Sequence, residues 1–286
     1  TGKYLDKYGV DFEARGIGLK LRIHGSYCNL GCYMCHPYNS STRRKELTEA
    51  FNKDYLSQWK PEYKAVKHDR WHSIMTNILD NIHLVAYMNI TGGEPLQLPK
   101  HWEMIEKIPK EHAKNIQLTY DTNLTEIRYK NHSVFDIVDK FQKVKFGVSC
   151  DHYKDKLAWI RYPIDVKKFE SNLVECRGIV RQLNCTVSLL NIFDLEEIKN
   201  YYKDNFDYDV TFMNICRWPK HLSIRNLTPK QKEWVTEKYG HYKHFGYIKN
   251  ELLEEPLEGS IEKMKAYCDG LSKHRNFDWR GLWNEY

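Results

Sequence analysis

Residues 27–37 read YCNLGCYMCHP and place Cys28, Cys32 and Cys35 on one short loop, just after a run that reads as a strand. Three thiolates so close together suit a soft metal centre. Spacing alone leaves three kinds open. Zinc in a closed site wants four ligands, and His36 would supply the last. The segment CYMCH also fits the C-x-x-C-H pattern of covalent haem attachment, with Cys32, Cys35 and His36 in the three roles. An iron-sulfur cubane normally takes four cysteines, so three with no fourth nearby would leave one iron open to a ligand.

Outward from this loop, GLKLRIHG, residues 18–25, alternates Leu19, Leu21 and Ile23 with polar partners, which predicts a first strand. LVAYMNITGGEPL, residues 84–96, is a second apolar run, and it ends in Thr91, Gly92, Gly93, Glu94 and Pro95. Paired glycines remove two side chains where backbone must approach a ligand closely, and a neighbouring carboxylate suits a ligand's ammonium. Taken together, CxxxCxxC after one strand and GGEP after the next resemble the radical S-adenosylmethionine (radical SAM) superfamily.

The resemblance implies a single [4Fe-4S] cluster on Cys28, Cys32 and Cys35, with S-adenosylmethionine chelating the fourth iron through its amino and carboxylate groups. It implies that a reductant such as flavodoxin or ferredoxin drives cleavage of the sulfonium to a 5′-deoxyadenosyl radical, which takes hydrogen from substrate. An oxygen-sensitive enzyme follows. Gly92, Gly93 and Glu94 would meet the methionine end, while Asn123, Ser149, Asp151, Arg161 and Asn191 stand where similar enzymes contact the ribose and methionine portions. One departure is visible: the residue before the last cysteine is commonly aromatic in this superfamily, but here it is Met34, with Tyr33 one place earlier. That bears on the adenine contact.

The rest of the chain reads as further strand and helix units. Helices are predicted over 43–59, 71–82, 100–114 with Pro109 interrupting, 133–143, 165–182 and 194–204; strands over 116–122, 144–151, 185–191 and 209–216. Alternating units of this kind argue for an α/β fold with a parallel sheet. Six of them predict a partial (β/α)6 barrel over 18–216, between a lead-in at 1–17 and a small α/β extension at 217–286. In such sheets ligands bind at the carboxyl ends of the strands, where both motifs sit.

Composition narrows the remaining classes. The chain has 286 residues, a formal charge of +6 and a sequence pI near 8.7, mildly basic and short of a dedicated duplex-binding domain. Basic clusters at 42–45 and at 217–225, the latter with Trp218 and His221 interleaved, are candidates for cradling a phosphate or nucleotide. No apolar run approaches membrane-spanning length and no basic-then-apolar leader opens the chain, so a cytoplasmic protein is expected. The eight cysteines fit a reducing compartment better than a disulfide framework.

The extension resembles the twitch domains that follow the sixth strand in some relatives and carry a second cluster. Only Cys216 and Cys268 are available there, so no auxiliary cluster is expected. Without one, a redox-neutral reaction or hydrogen-atom return is favoured, and Cys150, at the end of the fourth predicted strand, is a speculative hydrogen donor. The substrate reading is a small polar or nucleotide-like molecule, with peptide modification next and a zinc module or haem carrier as the non-enzymatic classes.

Overall fold

The computed structural model describes residues 16–23, 27–59 and 70–283. Most of the predicted lead-in and the end of the first predicted strand at Gly25 lie outside them. Six strands form one parallel sheet: β1 (Ile17–Arg22), β2 (Val85–Thr91), β3 (Gln117–Thr122), β6 (Lys143–Ser149), β7 (Val180–Val187) and β8 (Val210–Ile215). Their spatial order follows chain order, β1-β2-β3-β6-β7-β8, which makes an open partial barrel with β1 and β8 at its two edges. A small antiparallel hairpin, β4 (Arg128–Tyr129) and β5 (His132–Ser133), is inserted after β3.

The central strands are near-continuous apolar runs because helices cover the sheet. In β2, Val85, Tyr87, Met88 and Ile90 are all buried, and β6 buries Val144, Phe146 and Val148. The covering helices are α1 (Ser41–Ala50), α2 (Lys53–Ser57), α3 (Arg70–Asp80), α4 (Pro99–Lys107), α5 (Lys110–Ala113), α6 (Val134–Lys140), α7 (Lys154–Ile160), α8 (Val166–Glu175) and α9 (Leu195–Phe206). Pro109 divides α4 from α5, as a missing amide hydrogen requires. Phe51 and Asn52 similarly divide α1 from α2, inside the stretch predicted as one helix.

Two boundaries depart from the sequence reading. The helix predicted over 165–182 stops at Glu175, where the amides of Ile179 and Val180 both turn back onto the Cys176 carbonyl. Ile179 and Val180 extend the helix's apolar stripe in sequence but are buried at the start of a strand. The fifth strand is therefore Val180–Val187, not 185–191, and Asn191 stands in the turn beyond it.

The extension is the second departure. An α/β unit is expected there, but the described residues after β8 form helices: α10 (Pro229–Tyr239), α11 (Phe245–Leu252) and α12 (Ser260–Arg275). A Thr228–Gln231 capping box starts α10 with Pro229 at its first position, strong helix signals that outweigh the aromatic residues around them. α11 lies against the edge strand β8, and α12 packs on α1 and on the turn Lys220–Leu222. Met264, Tyr267, Cys268 and Leu271 of α12 join the same buried core as the barrel.

Candidate active site

The carboxyl ends of the strands bring the two motifs together. After β1 the cysteine loop is held by the start of α1: Thr42 Oγ1 donates to the Cys28 carbonyl at 2.7 Å, and Ser40 Oγ donates to Leu30 O at 2.7 Å while accepting from the Arg43 amide as N-cap. The amino end of α1 thus holds the backbone of the cysteine loop. Across the loop, the amides of Gly31 and Tyr33 donate to the carbonyls of Tyr162 and Ile160 at 2.6 and 3.0 Å. The loop is pinned from both sides.

The glycine motif touches it directly. Glu94 N donates to Tyr27 O at 3.0 Å, one residue before Cys28. A Cβ on Gly93 would lie 2.1 Å from that same Tyr27 oxygen, so glycine is required for this approach. Glu94 itself is buried; its carboxylate accepts from Thr122 Oγ1 at 2.7 Å, the Asn123 amide at 2.7 Å and the Leu96 amide at 3.2 Å. Burial pushes the carboxyl up to about 7 against the pull of those donors. The acid ties the end of β2 to the end of β3.

Two of the three sulfurs have a nitrogen donor aimed at them. Asn123 Nδ2 lies 3.8 Å from Cys28 Sγ and 3.0 Å from Asn29 Oδ1, and Arg161 Nη1 lies 3.7 Å from Cys32 Sγ. Arg161 is buried, is paired with Asp151 at 2.7 Å, and keeps its Nε without a partner among the described residues. Burial raises all three thiols, Cys35 up to about 12, with the charge of Cys32 adding to it; Arg161 pulls Cys32 the other way. Such thiols ionise when metal binding takes the proton.

These residues fit a cluster. Three free cysteines are available, charged and amide donors face two of the sulfurs as thiolate ligands require, and a buried guanidinium nitrogen awaits an acceptor. Among the described residues no three His, Cys, Asp or Glu side chains converge on one point that would hold a single ion. A cubane makes no such demand, since each cysteine binds a different iron.

The other predicted residues divide. Ser149 ends β6, partly exposed. Asp151 faces the site but is taken up by Arg161 and by the Thr186 amide at 2.7 Å. Asn191 braces a turn: its Nδ2 donates to the carbonyls of Asp151 and Thr186, and its Oδ1 accepts from the Ser188 amide. Cys150 is wholly buried, donating to His152 O at 3.3 Å beside Tyr202 of α9. The predicted hydrogen donor is therefore packed under the helix layer. Tyr33 is wholly buried, with its hydroxyl on Ser188 Oγ, so it is not displaced toward a ligand; Met34 is the half-exposed neighbour.

The sequence reading missed a set of residues that support the loop from behind. Arg275 of α12 donates to the Gly31 carbonyl at 2.9 Å, to the Trp159 carbonyl and to Glu46 Oε1 at 2.6 Å. Glu46 also pairs with Arg43, which reaches the Tyr33 carbonyl at 2.8 Å, and Tyr267 Oη donates to the same carbonyl at 2.7 Å. All three charged groups are buried. Nothing local in the sequence marks them, because the pairing spans 229 positions.

The basic clusters resolve into ordinary pairs in most places. Arg217 pairs with Glu251 at 2.8 Å, Arg225 with Glu254 at 3.2 Å, and Lys45 with Glu49. Cys216 and Cys268 are buried separately, the first donating to Trp218 O and the second lying 3.7 Å from Met264 Sδ.

Comparison with solved structures places the chain beside native anSMEcpe with bound AdoMet, at 17% identity and a TM-score of 0.53 over 82% of this chain and 62% of that one. The same protein with AdoMet and the Cp18Cys peptide gives 18% identity and 0.51, covering 82% and 62%. SuiB of Streptococcus suis bound to S-adenosylmethionine gives 15% identity and 0.49, covering 96% and 60%. The chain therefore spans about three fifths of the length of these structures, and the two anSMEcpe structures bear on its fold. A comparison with curated proteins finds no match. The sequence pattern of the radical SAM superfamily matches residues 23–204, which take in both motifs and the strands β2, β3, β6 and β7. By that match and by its six-stranded partial barrel, the chain belongs to the radical SAM superfamily of enzymes.

Proposed function

We propose that this chain binds a [4Fe-4S] cluster through Cys28, Cys32 and Cys35 and uses it to cleave S-adenosylmethionine reductively, for hydrogen abstraction from a small polar or nucleotide-like substrate. The observation that carries the reading is the bond from Glu94 N to Tyr27 O, which sets the GGEP bend against the three-cysteine loop. When bound, the cluster and the sulfonium supply electron transfer and a 5′-deoxyadenosyl radical.

The protein's own part is placement. Asn123 and Arg161 orient and polarise the sulfurs of Cys28 and Cys32. Glu94 holds the ends of β2 and β3 in register with the loop, and its charged form is stabilised by an ammonium brought beside it. Arg161, with its unpartnered Nε, offers a buried cation to the ligand's carboxylate. Ser149 completes the polar rim at the end of β6. Asp151 keeps Arg161 charged and aimed, rather than meeting ligand itself. A reductant such as flavodoxin or ferredoxin supplies the electron, and no auxiliary cluster takes part.

Peptide modification is the second reading. It is favoured by the peptide held in the anSMEcpe complex, a neighbour in fold. The test of the first reading is formation of 5′-deoxyadenosine from S-adenosylmethionine by anaerobically reconstituted protein with dithionite. Product that disappears in Cys28→Ala, Cys32→Ala and Cys35→Ala supports it; no product from the parent chain refutes it.

A further inference from the structure

A cavity of about 250 Å³ opens between the segment that follows α1 and the segment that follows β8. Those segments follow, in the chain, the two edge strands of the sheet, and Ser260 and Lys263 at the start of α12 complete the lining. Its aromatic walls are Tyr55, Trp59 and Trp218, its charged rim is Lys220 and Lys263, and His221 lies between them. The indoles of Trp59 and Trp218 meet edge to face at 6.0 Å, and Trp59 meets the His36 ring at 5.5 Å, next to Cys35. An aromatic chain thus runs from the cysteine loop to the cavity.

The chemistry of this lining is uneven in an informative way. Around it the arginines are committed to acids, Arg217 to Glu251 and Arg225 to Glu254. Among the described residues no carboxylate pairs with either Lys220 or Lys263, and the lining contains no acid. Trp218 keeps 42% of its surface exposed, large for an indole beside a core. His221 meets the Tyr267 ring edge to face at 4.9 Å and leaves Nε2 without a hydrogen-bond partner among the described residues. Burial, with Arg43 and Lys263 nearby, lowers the imidazole to about 4, so it is neutral at pH 7.

We infer that this cavity is a substrate subsite for a 5′-mononucleotide-type anion, the base lying on the exposed indole of Trp218, which the buried Trp59 backs edge to face, and the phosphate on the ammonium groups of Lys220 and Lys263. The inference rests on the reading above and names the substrate class for it. Base-on-indole stacking tolerates many bases, while two unpaired ammonium groups select for a phosphate of more than one negative charge. His221 then faces a base or ribose as a neutral hydrogen-bonding group. An acidic peptide would satisfy the lysines but leave the exposed indole face uncovered.

The test is tryptophan fluorescence of anaerobically reconstituted protein with S-adenosylmethionine already bound, titrated with AMP, GMP, CMP and UMP, with the matching nucleosides, with inorganic phosphate and with an acidic peptide. At least one mononucleotide is expected to quench saturably, with affinity that falls as salt rises. The nucleosides and phosphate alone should bind roughly tenfold more weakly or worse. Lys220→Glu with Lys263→Glu, both exposed positions, should weaken mononucleotide binding by a similar factor, and Trp218→Ala should remove most of the quench. Iron content and circular dichroism check that the variants are folded and loaded. Saturation by none of the four, equal binding of nucleosides, preference for the peptide, or indifference to the lysine pair would overturn the inference. Should iron, sulfide and S-adenosylmethionine be taken up while no nucleotide binds, only the subsite falls; should none be taken up, the reading beneath it falls first.

Discussion

Arg275 and Gly31 lie 244 positions apart, yet the guanidinium of the first donates to the carbonyl of the second at 2.9 Å. The last helix of the described chain is therefore part of the support of the cysteine loop. Arg275→Met would strip Glu46 of one of its two cations and leave the Gly31 and Trp159 carbonyls without donors. Losing one member of a buried ion network costs about 3 kcal/mol, a fall of roughly 5–10 °C in Tm for a chain of this size. Thermal unfolding measures it, and a variant as stable as the parent would contradict the role assigned to α12.

Gly93→Ala should act on the contact between the two motifs. Its methyl would need to push Tyr27 O away from 2.1 Å, and backbone on both sides resists that shift. We expect a loss of about 1–3 kcal/mol in stability and a larger loss in S-adenosylmethionine affinity, because the bend and the loop move apart. Calorimetric titration with the ligand, alongside a melting curve, separates the two effects.

Asn123→Leu removes the amide aimed at Cys28 Sγ and keeps the side-chain volume. Hydrogen bonds to cluster sulfurs raise the reduction potential, so the variant's potential should fall. A redox titration followed by electron paramagnetic resonance reads the shift. A potential equal to the parent's would show that the amide serves only Asn29.

His101 gives the chain a pH dependence remote from the site. It is wholly buried, bonded to Tyr120 Oη at 2.9 Å, and burial lowers it to about 3. The unfolded chain binds this proton at an ordinary histidine pKa, so the unfolded state holds more protons between about 6.5 and 3 and stability falls as pH drops through that window. The contribution from this group between pH 6.5 and 5 is about 1.6 kcal/mol. Denaturant melts at both pH values should show it, and His101→Gln should flatten the slope.

How much of this was legible in the sequence depended on the range of each signal. The CxxxCxxC loop and GGEP are local patterns at strand ends, so they were visible with the fold that presents them. The start of β7 is hidden in the sequence because Ile179 and Val180 continue a helical stripe by period, and only the turn onto the Cys176 carbonyl ends it. Asp151 and Asn191 were legible as strand-end polar residues but not as mutual braces, since their partners come from neighbouring strands and turns. The alternation between Ser149, Cys150 and Asp151 was readable, yet which side faced the loop was not. Arg43, Glu46 and Arg275 carried no local signal at all.

The most direct test of the central claim is the electron paramagnetic resonance spectrum of the dithionite-reduced, anaerobically reconstituted protein, recorded before and after S-adenosylmethionine is added. We predict about four irons per chain and a cubane signal whose g values move when the ligand takes the open iron. Protein that binds no iron and sulfide, or a cluster whose spectrum is unchanged by the ligand, would contradict the account.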